Sequence, residues 1–140
     1  MKTFLWGLCL VLTFSGHLWA QDAGSATVKV LAESMSSWDG NVLPEYGKGT
    51  PKITILRITV PPKVELPLHQ HPVINAGVLL RGELTVMTDE GEVLHLTAGN
   101  SIVEVVNKWH YGKNEGDEAA EIIVFYAGTQ GEAITVGKKE

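Results

Sequence analysis

An all-β chain folded as a sandwich or small barrel is predicted by three observations. From Lys52 onward, short runs of apolar and β-branched residues recur roughly every 8–12 residues. Gly, Pro, Asn or Asp bounds nearly every run, and those residues favour turns over ladders. No stretch sustains the 3.6-residue apolar period of an amphipathic helix.

The elements follow in order. Residues 53–60 read as a strand rich in Ile, Thr and Val, closed by Pro61-Pro62. Residues 75–80 and 83–87 are two apolar runs expected to form a hairpin through Arg81-Gly82. Thr88-Asp89-Glu90-Gly91 is a second turn, with Gly91 free to take a left-handed conformation. Strands are expected at 93–96, 101–106, 109–113, 120–126 and 133–136, and a frayed tail at 137–140. Residues 32–50 are rich in Ser and Gly, include Asn41 and Pro44, and read as an irregular arm. Trp38, Leu43 and Tyr46 in that arm need burial. They can find it on the outer face of their own domain, across a barrel mouth or on a second subunit.

The N-terminus reads as an export signal. Lys2 precedes an apolar run at 4–14, and Ser15 to Ala20 resembles a cleavage region ending at Ala20. The run is shorter than the roughly 20 apolar residues that span a bilayer. The expected layout is a signal peptide at 1–20, an N-terminal strand and arm at 21–50, a barrel domain at 51–136 and the tail. The mature protein would be periplasmic or secreted and free of the membrane. It would keep no cysteine, because Cys9 is the only one. Its stability must come from its core, with a metal or oligomerisation as possible help. Removing Lys2 leaves 10 basic against 16 acidic residues, a net charge of −6. That balance argues against nucleic acid and anionic membranes as partners.

The chemistry starts at His69-Gln70-His71. Residues i and i+2 of a strand share a face, so both imidazoles enter one space. Pro72 holds His71 extended. His110 can supply a third nitrogen for a divalent transition metal such as Fe, Zn, Ni, Cu or Mn. Glu104 lies in an apolar run where alternation places it with Ile102 and Val106. On an inner face it would be a buried carboxylate able to act as acid or base; on an outer face it is an ordinary solvated Glu. His95 reads as a surface residue, and Asn114 as a turn or backbone-bonding residue. Trp109 and Tyr111 should point away from His110, while turn geometry accounts for Gly82 and Gly99.

These residues resemble the two motifs of the cupin superfamily. His69, His71 and Gly82 fall on the first motif, with Asn75 where a Glu is usual. Gly91, Gly99, His110 and Asn114 fit the second, with Val105 where a Pro is common. The resemblance covers about 53–127. It implies a double-stranded β-helix, or jelly roll, with the irregular arm at its N-terminus. It also implies a metal inside the barrel on His69, His71 and His110, a small-molecule ligand or substrate, and a possible homodimer. Without a ligating carboxylate, three neutral imidazoles leave a divalent ion near +2. Such a site favours Zn, Fe, Ni or Cu over Mn and acidifies bound water more strongly. Asn75 could ligate weakly or hydrogen-bond a ligated water. Some cupins with three His ligands are iron dioxygenases, so the change does not exclude a metal. Three functions are in view: an oxygenase- or isomerase-type metalloenzyme with Asn75 and Glu104 orienting water or substrate, a non-catalytic ligand- or metal-binding module, and a structural, dimerising barrel.

Overall fold

The computed structural model describes residues 26–138; the segment expected to be a signal peptide lies outside the described residues. Nine strands are present among the described residues, in chain order. They are β1 (Pro51–Val60), β2 (His69–Gln70), β3 (Ile74–Arg81), β4 (Glu83–Thr88) and β5 (Val93–Thr97), then β6 (Ser101–Val103), β7 (His110–Lys113), β8 (Ala120–Thr129) and β9 (Val136–Gly137). Two sheets form, with strand orders β1-β8-β3-β6 and β5-β4-β7-β2-β9. All ladders are antiparallel, and no helix occurs among the described residues. The expected all-β jelly roll is the architecture observed.

Alternation along each strand builds the interior. Leu56 and Ile58 of β1 stand opposite Val124 and Ile122 of β8. On the other side of β8, Asn75, Gly77 and Leu79 of β3 stand opposite Tyr126, Val124 and Ile122. The second sheet contributes Leu84, Val86 and Leu96 to the same core. The register therefore orders the interior in layers. Asn75 and Tyr126 lie at one end, Leu56, Gly77 and Val124 come next, and Ile58, Leu79 and Ile122 lie beyond them.

Several expectations need correction. Residues 75–80 and 83–87 do not pair as a hairpin, because β3 and β4 belong to different sheets. Gly82 is the crossover between them. Its φ is +73°, and a Cβ there would lie 2.9 Å from the Ala119 carbonyl oxygen and the Ala120 Cα. A left-handed backbone packed this closely against another strand requires glycine. The hairpin at Thr88 to Gly91 does form, joining β4 to β5. The expected strand at 133–136 is shifted to Val136–Gly137, so Gly137 is paired, not frayed. No N-terminal strand forms in the described part of 21–50. Its hydrogen bonds are local, as in the isolated bridge from Ser36 to Val42, or reach the barrel singly.

The arm packs on its own barrel. Ser37 Oγ–H donates to Asp39, and Asn41 donates to Asp39 through both its backbone and its side chain. This loop presents Trp38, whose backbone N–H donates to Val103 O and whose ring packs on the core. Leu43 is half-buried, and Tyr46 is exposed. Asn114 acts as a backbone clasp, as expected. Its Nδ2 donates to the carbonyls of Val60, Pro61 and Glu118, and its Oδ1 accepts from Gly116.

Candidate metal centre

His69 and His110 are directly opposed in the β2–β7 ladder. His71 follows two residues after His69, on the same side. The three rings sit with centroids 4.5–5.0 Å apart. Each ring also holds a backbone carbonyl through Nδ1: Pro67 O at 2.7 Å for His69, Ile134 O at 2.8 Å for His71 and Lys108 O at 2.8 Å for His110. A carbonyl can only accept, so each Nδ1 carries the proton. In a neutral ring that leaves Nε2 as a lone pair. The ligand atoms of the three rings lie within 4.8 Å of one another, forming a group able to hold a metal ion. His110 Nε2 is the one buried side-chain polar atom without a hydrogen-bond partner among the described residues. A buried lone pair without a partner, beside two other imidazoles, is a group that a cation would satisfy.

Electrostatics agree with that fit. Burial pushes the His71 imidazole down to about 4, only partly opposed by its bond to Ile134 O. Burial also lowers His69 and His110. All three rings are therefore neutral at pH 7 and ready to ligate.

Glu104 enters the same space. The β3–β6 register pairs Ala76 with Val103, and the Glu104 N–H donates to Asn75 O at 3.0 Å. Glu104 and Asn75 are thus cross-strand neighbours, and both line the interior beside the three histidines. Glu104 Oε1 lies 3.9 Å from His110 Nε2. It accepts from Trp38 Nε1 and from the Val105 N–H, each at 3.0 Å. Burial raises the Glu104 carboxyl above its ordinary range, against those two donors, which lower it. The expected grouping of Glu104 with Ile102 holds, because both line the cavity. Val106 does not join them. Regular strand ends at Val103, Asn107 has φ +56°, and Val106 lines a separate surface hollow beside the arm. Asn75 is 2% exposed, and its Nδ2 donates to Val73 O at 3.3 Å.

Three further residues shape the site. Trp38 holds Glu104 from the arm. Tyr126 stands edge-on to His71 at 5.3 Å, with its hydroxyl pushed up to about 12 by burial and by Glu104. Thr135 Oγ1 lies 3.2 Å from His71 Nδ1. Alternation with Ile122 and Val124 marks Tyr126 as inward-facing. No local signal joins Trp38 to a residue 66 positions away. Tyr111 bonds Met87 Sδ and Trp109 lies under Lys138, so both point away from His110. His95 is exposed, with Nδ1 2.9 Å from Thr85 Oγ1.

Beyond the histidines the interior opens into a cavity of about 380 Å³. Apolar side chains from both sheets line most of it.

Comparison with known proteins places this architecture. One similar solved structure is an oxalate oxidase in complex with the substrate analogue glycolate, at 22% identity and a TM-score of 0.51. That match covers 61% of this chain and 45% of the other. A DMSP lyase from Ruegeria pomeroyi matches at 20% identity and a TM-score of 0.54, over 63% of this chain and 45% of its own. This chain thus spans less than half the length of either enzyme. An uncharacterised conserved protein with a double-stranded β-helix domain from Klebsiella pneumoniae matches at 20% identity and a TM-score of 0.54, over 80% of this chain and all of its own. No curated protein matches. Likeness at these identities establishes the fold alone. The cupin domain profile matches residues 56–126, half of the chain, and with both sheets and the three inward histidines in place the protein belongs to the cupin family.

Proposed function

We propose that this cupin is an exported metalloenzyme acting on a small molecule, with one divalent transition metal held by Nε2 of His69, His71 and His110. One observation carries the reading. Three neutral rings, each with its Nδ1 proton held by a carbonyl, leave their Nε2 lone pairs free, and the ligand atoms lie within 4.8 Å of one another. A bound ion would supply Lewis acidity and a place for substrate or water. The chain's own residues do the rest. Glu104 can hold or pass a proton next to the ligands, and Asn75 and Tyr126 border the same end of the cavity. Three imidazoles favour Fe, Zn, Ni or Cu over Mn.

Protein purified without chelator should contain about one such ion per chain, or take one up on titration. His71→Ala and His110→Ala should each weaken uptake by more than the ~10–100-fold cost of losing an outer-shell partner. Wild-type protein that neither carries nor takes up metal would overturn the proposal.

A second reading, a non-catalytic module that captures a small ligand, is favoured by the scarcity of proton-transfer groups. Among the described residues Glu104 is the one carboxylate lining the cavity, and it is held by Trp38 and Val105. Ligand-dependent thermal stabilisation without turnover distinguishes it. Export is supported by the apolar run at 4–14 and the polar-to-small region ending at Ala20. N-terminal sequencing of protein recovered outside the cytoplasm should begin at Gln21, and an intact Met1 there would refute cleavage. A homodimer is supported by the exposed Ile53, Ile55 and Phe125 on β1 and β8, and sedimentation velocity tests it.

A further inference from the structure

The geometry points to a ligand class: a small monocarboxylate with an apolar body, its acid group at the histidine end and its hydrocarbon in the chamber formed around Gly112. The head-group half of this inference rests on the metal site proposed above. The body half rests on the cavity alone.

The chamber follows from the register. On β7, His110 and Gly112 share the inner face, while Tyr111 and Lys113 face outward. Gly112 stands opposite Val86 of β4, one step beyond the Thr88–His110 pair. The nearest atoms to a Cβ on Gly112 would be side-chain carbons of Leu66 and Leu84, at 3.5–3.9 Å, which is ordinary contact. Its φ does not lie in the left-handed region, so backbone conformation does not demand glycine here. The missing side chain leaves open volume next to a ligating strand position. Around it stand Leu56, Ile58, Leu84, Val86, Ile122 and Val124.

Size and charge narrow the occupant. An apolar void of about 150 Å³ takes a benzene, so 380 Å³ suits a molecule on the order of ten non-hydrogen atoms. The polar groups cluster at the histidine end, in the layer of Asn75 and Tyr126. No Lys or Arg lines the cavity among the described residues. A metal ion would accept one carboxylate, or two close enough to chelate it together. A second carboxylate at the far end of a hydrocarbon chain would be driven against aliphatic side chains with no cation to meet it, which is strongly unfavourable. The chamber therefore selects against long-chain dicarboxylates and for a single acid group carrying hydrocarbon. Each methylene placed in it should raise affinity about fourfold.

The test uses the chain from Gln21 onward, loaded with Co²⁺. Metal content is measured on every sample, and binding is followed by calorimetry and the Co²⁺ visible spectrum. The probes are acetate, hexanoate, benzoate and adipate, with hexan-1-ol added to metal-free protein. Hexanoate or benzoate should bind at least tenfold more tightly than acetate or adipate and should perturb the Co²⁺ spectrum. Gly112→Val fills the chamber without touching a histidine. It should weaken hexanoate and hexan-1-ol at least tenfold while metal content stays at one per chain. Val86→Ala enlarges the chamber and should shift preference toward octanoate, which keeps the idea testable if the valine variant folds poorly. Adipate or acetate binding as tightly as hexanoate, or hexanoate affinity unchanged in Gly112→Val, overturns the inference. A protein without metal overturns the metal proposal and the head-group half. The chamber is then decided by hexan-1-ol alone.

Discussion

At the scale of single residues, the site depends on side chains that never meet the proposed ion. Trp38 fixes the carboxylate nearest to His110, and indole is the one side chain there offering an N–H on a large apolar ring. Trp38→Phe keeps the packing and deletes the donor. It should weaken metal binding about tenfold, the usual scale for an outer-shell partner, with little loss of folding stability. Competitive titration with a chelating dye measures the first, and urea unfolding the second. Asn114 has a different duty. It is fully buried and serves three carbonyls and one N–H, so Asn114→Ala leaves several polar groups without partners. About 2–4 kcal/mol of stability should be lost, read as a lower urea midpoint. The histidines were legible in the sequence because a two-residue spacing has one geometric meaning in a strand. Trp38 was not, because its partner is set by where the arm lands.

At the scale of elements, strand content was legible and strand partnership only partly so. Period-two patterning says which residues share a face, but not which strand lies alongside. The runs on either side of Gly82 look like a hairpin because hairpins join neighbouring strands. Here the chain changes sheets, and the evidence is the close approach of Ala119 and Ala120 to Gly82. Gly82→Ala combines a left-handed strain of about 1–2 kcal/mol with a backbone clash. It should destabilise by more than that strain alone, measured by urea unfolding. The same substitution at Gly91, where a Cβ meets nothing within 4 Å, should cost only the strain. Equal losses at the two sites would contradict the crossover account. Glu104 was half legible for a related reason. Alternation assigned it correctly with Ile102 but failed at Val106, where the strand has already ended.

At the scale of the whole molecule, the arm and barrel are joined by a charge cluster. Lys108 Nζ lies 3.1 Å from Asp39 in the arm, and 2.8 and 2.7 Å from Glu90 and Glu92 at the β4–β5 turn. Burial works against the charged Asp39, but bonds from Ser37, Asn41 and Lys108 outweigh it and lower its pKa to about 2. A carboxyl depressed on folding contributes stability above its ordinary value of 3.8, and that contribution is lost as pH falls through 2. Wild-type protein should therefore be more stable than Asp39→Asn at pH 6, and the difference should shrink steeply between pH 4 and pH 2. Urea midpoints of the two proteins across that range measure it. A gap unchanged by acid would mean that the carboxylate charge contributes nothing.

The short ladder between β2 and β9 has a consequence for how the protein is made. Residues 134–137 hold the first motif from behind: Ile134 O fixes the His71 proton, and Val136–Gly137 pair with His69–Gln70. A ribosome delivers these residues about sixty positions after the histidines they orient. Until then His71 has no carbonyl to set its tautomer, so the ligand set is not preorganised on a nascent chain. On the proposed export route the strand would close only after translocation. The ion acquired would then be chosen by the compartment where folding finishes, not by the one where translation began.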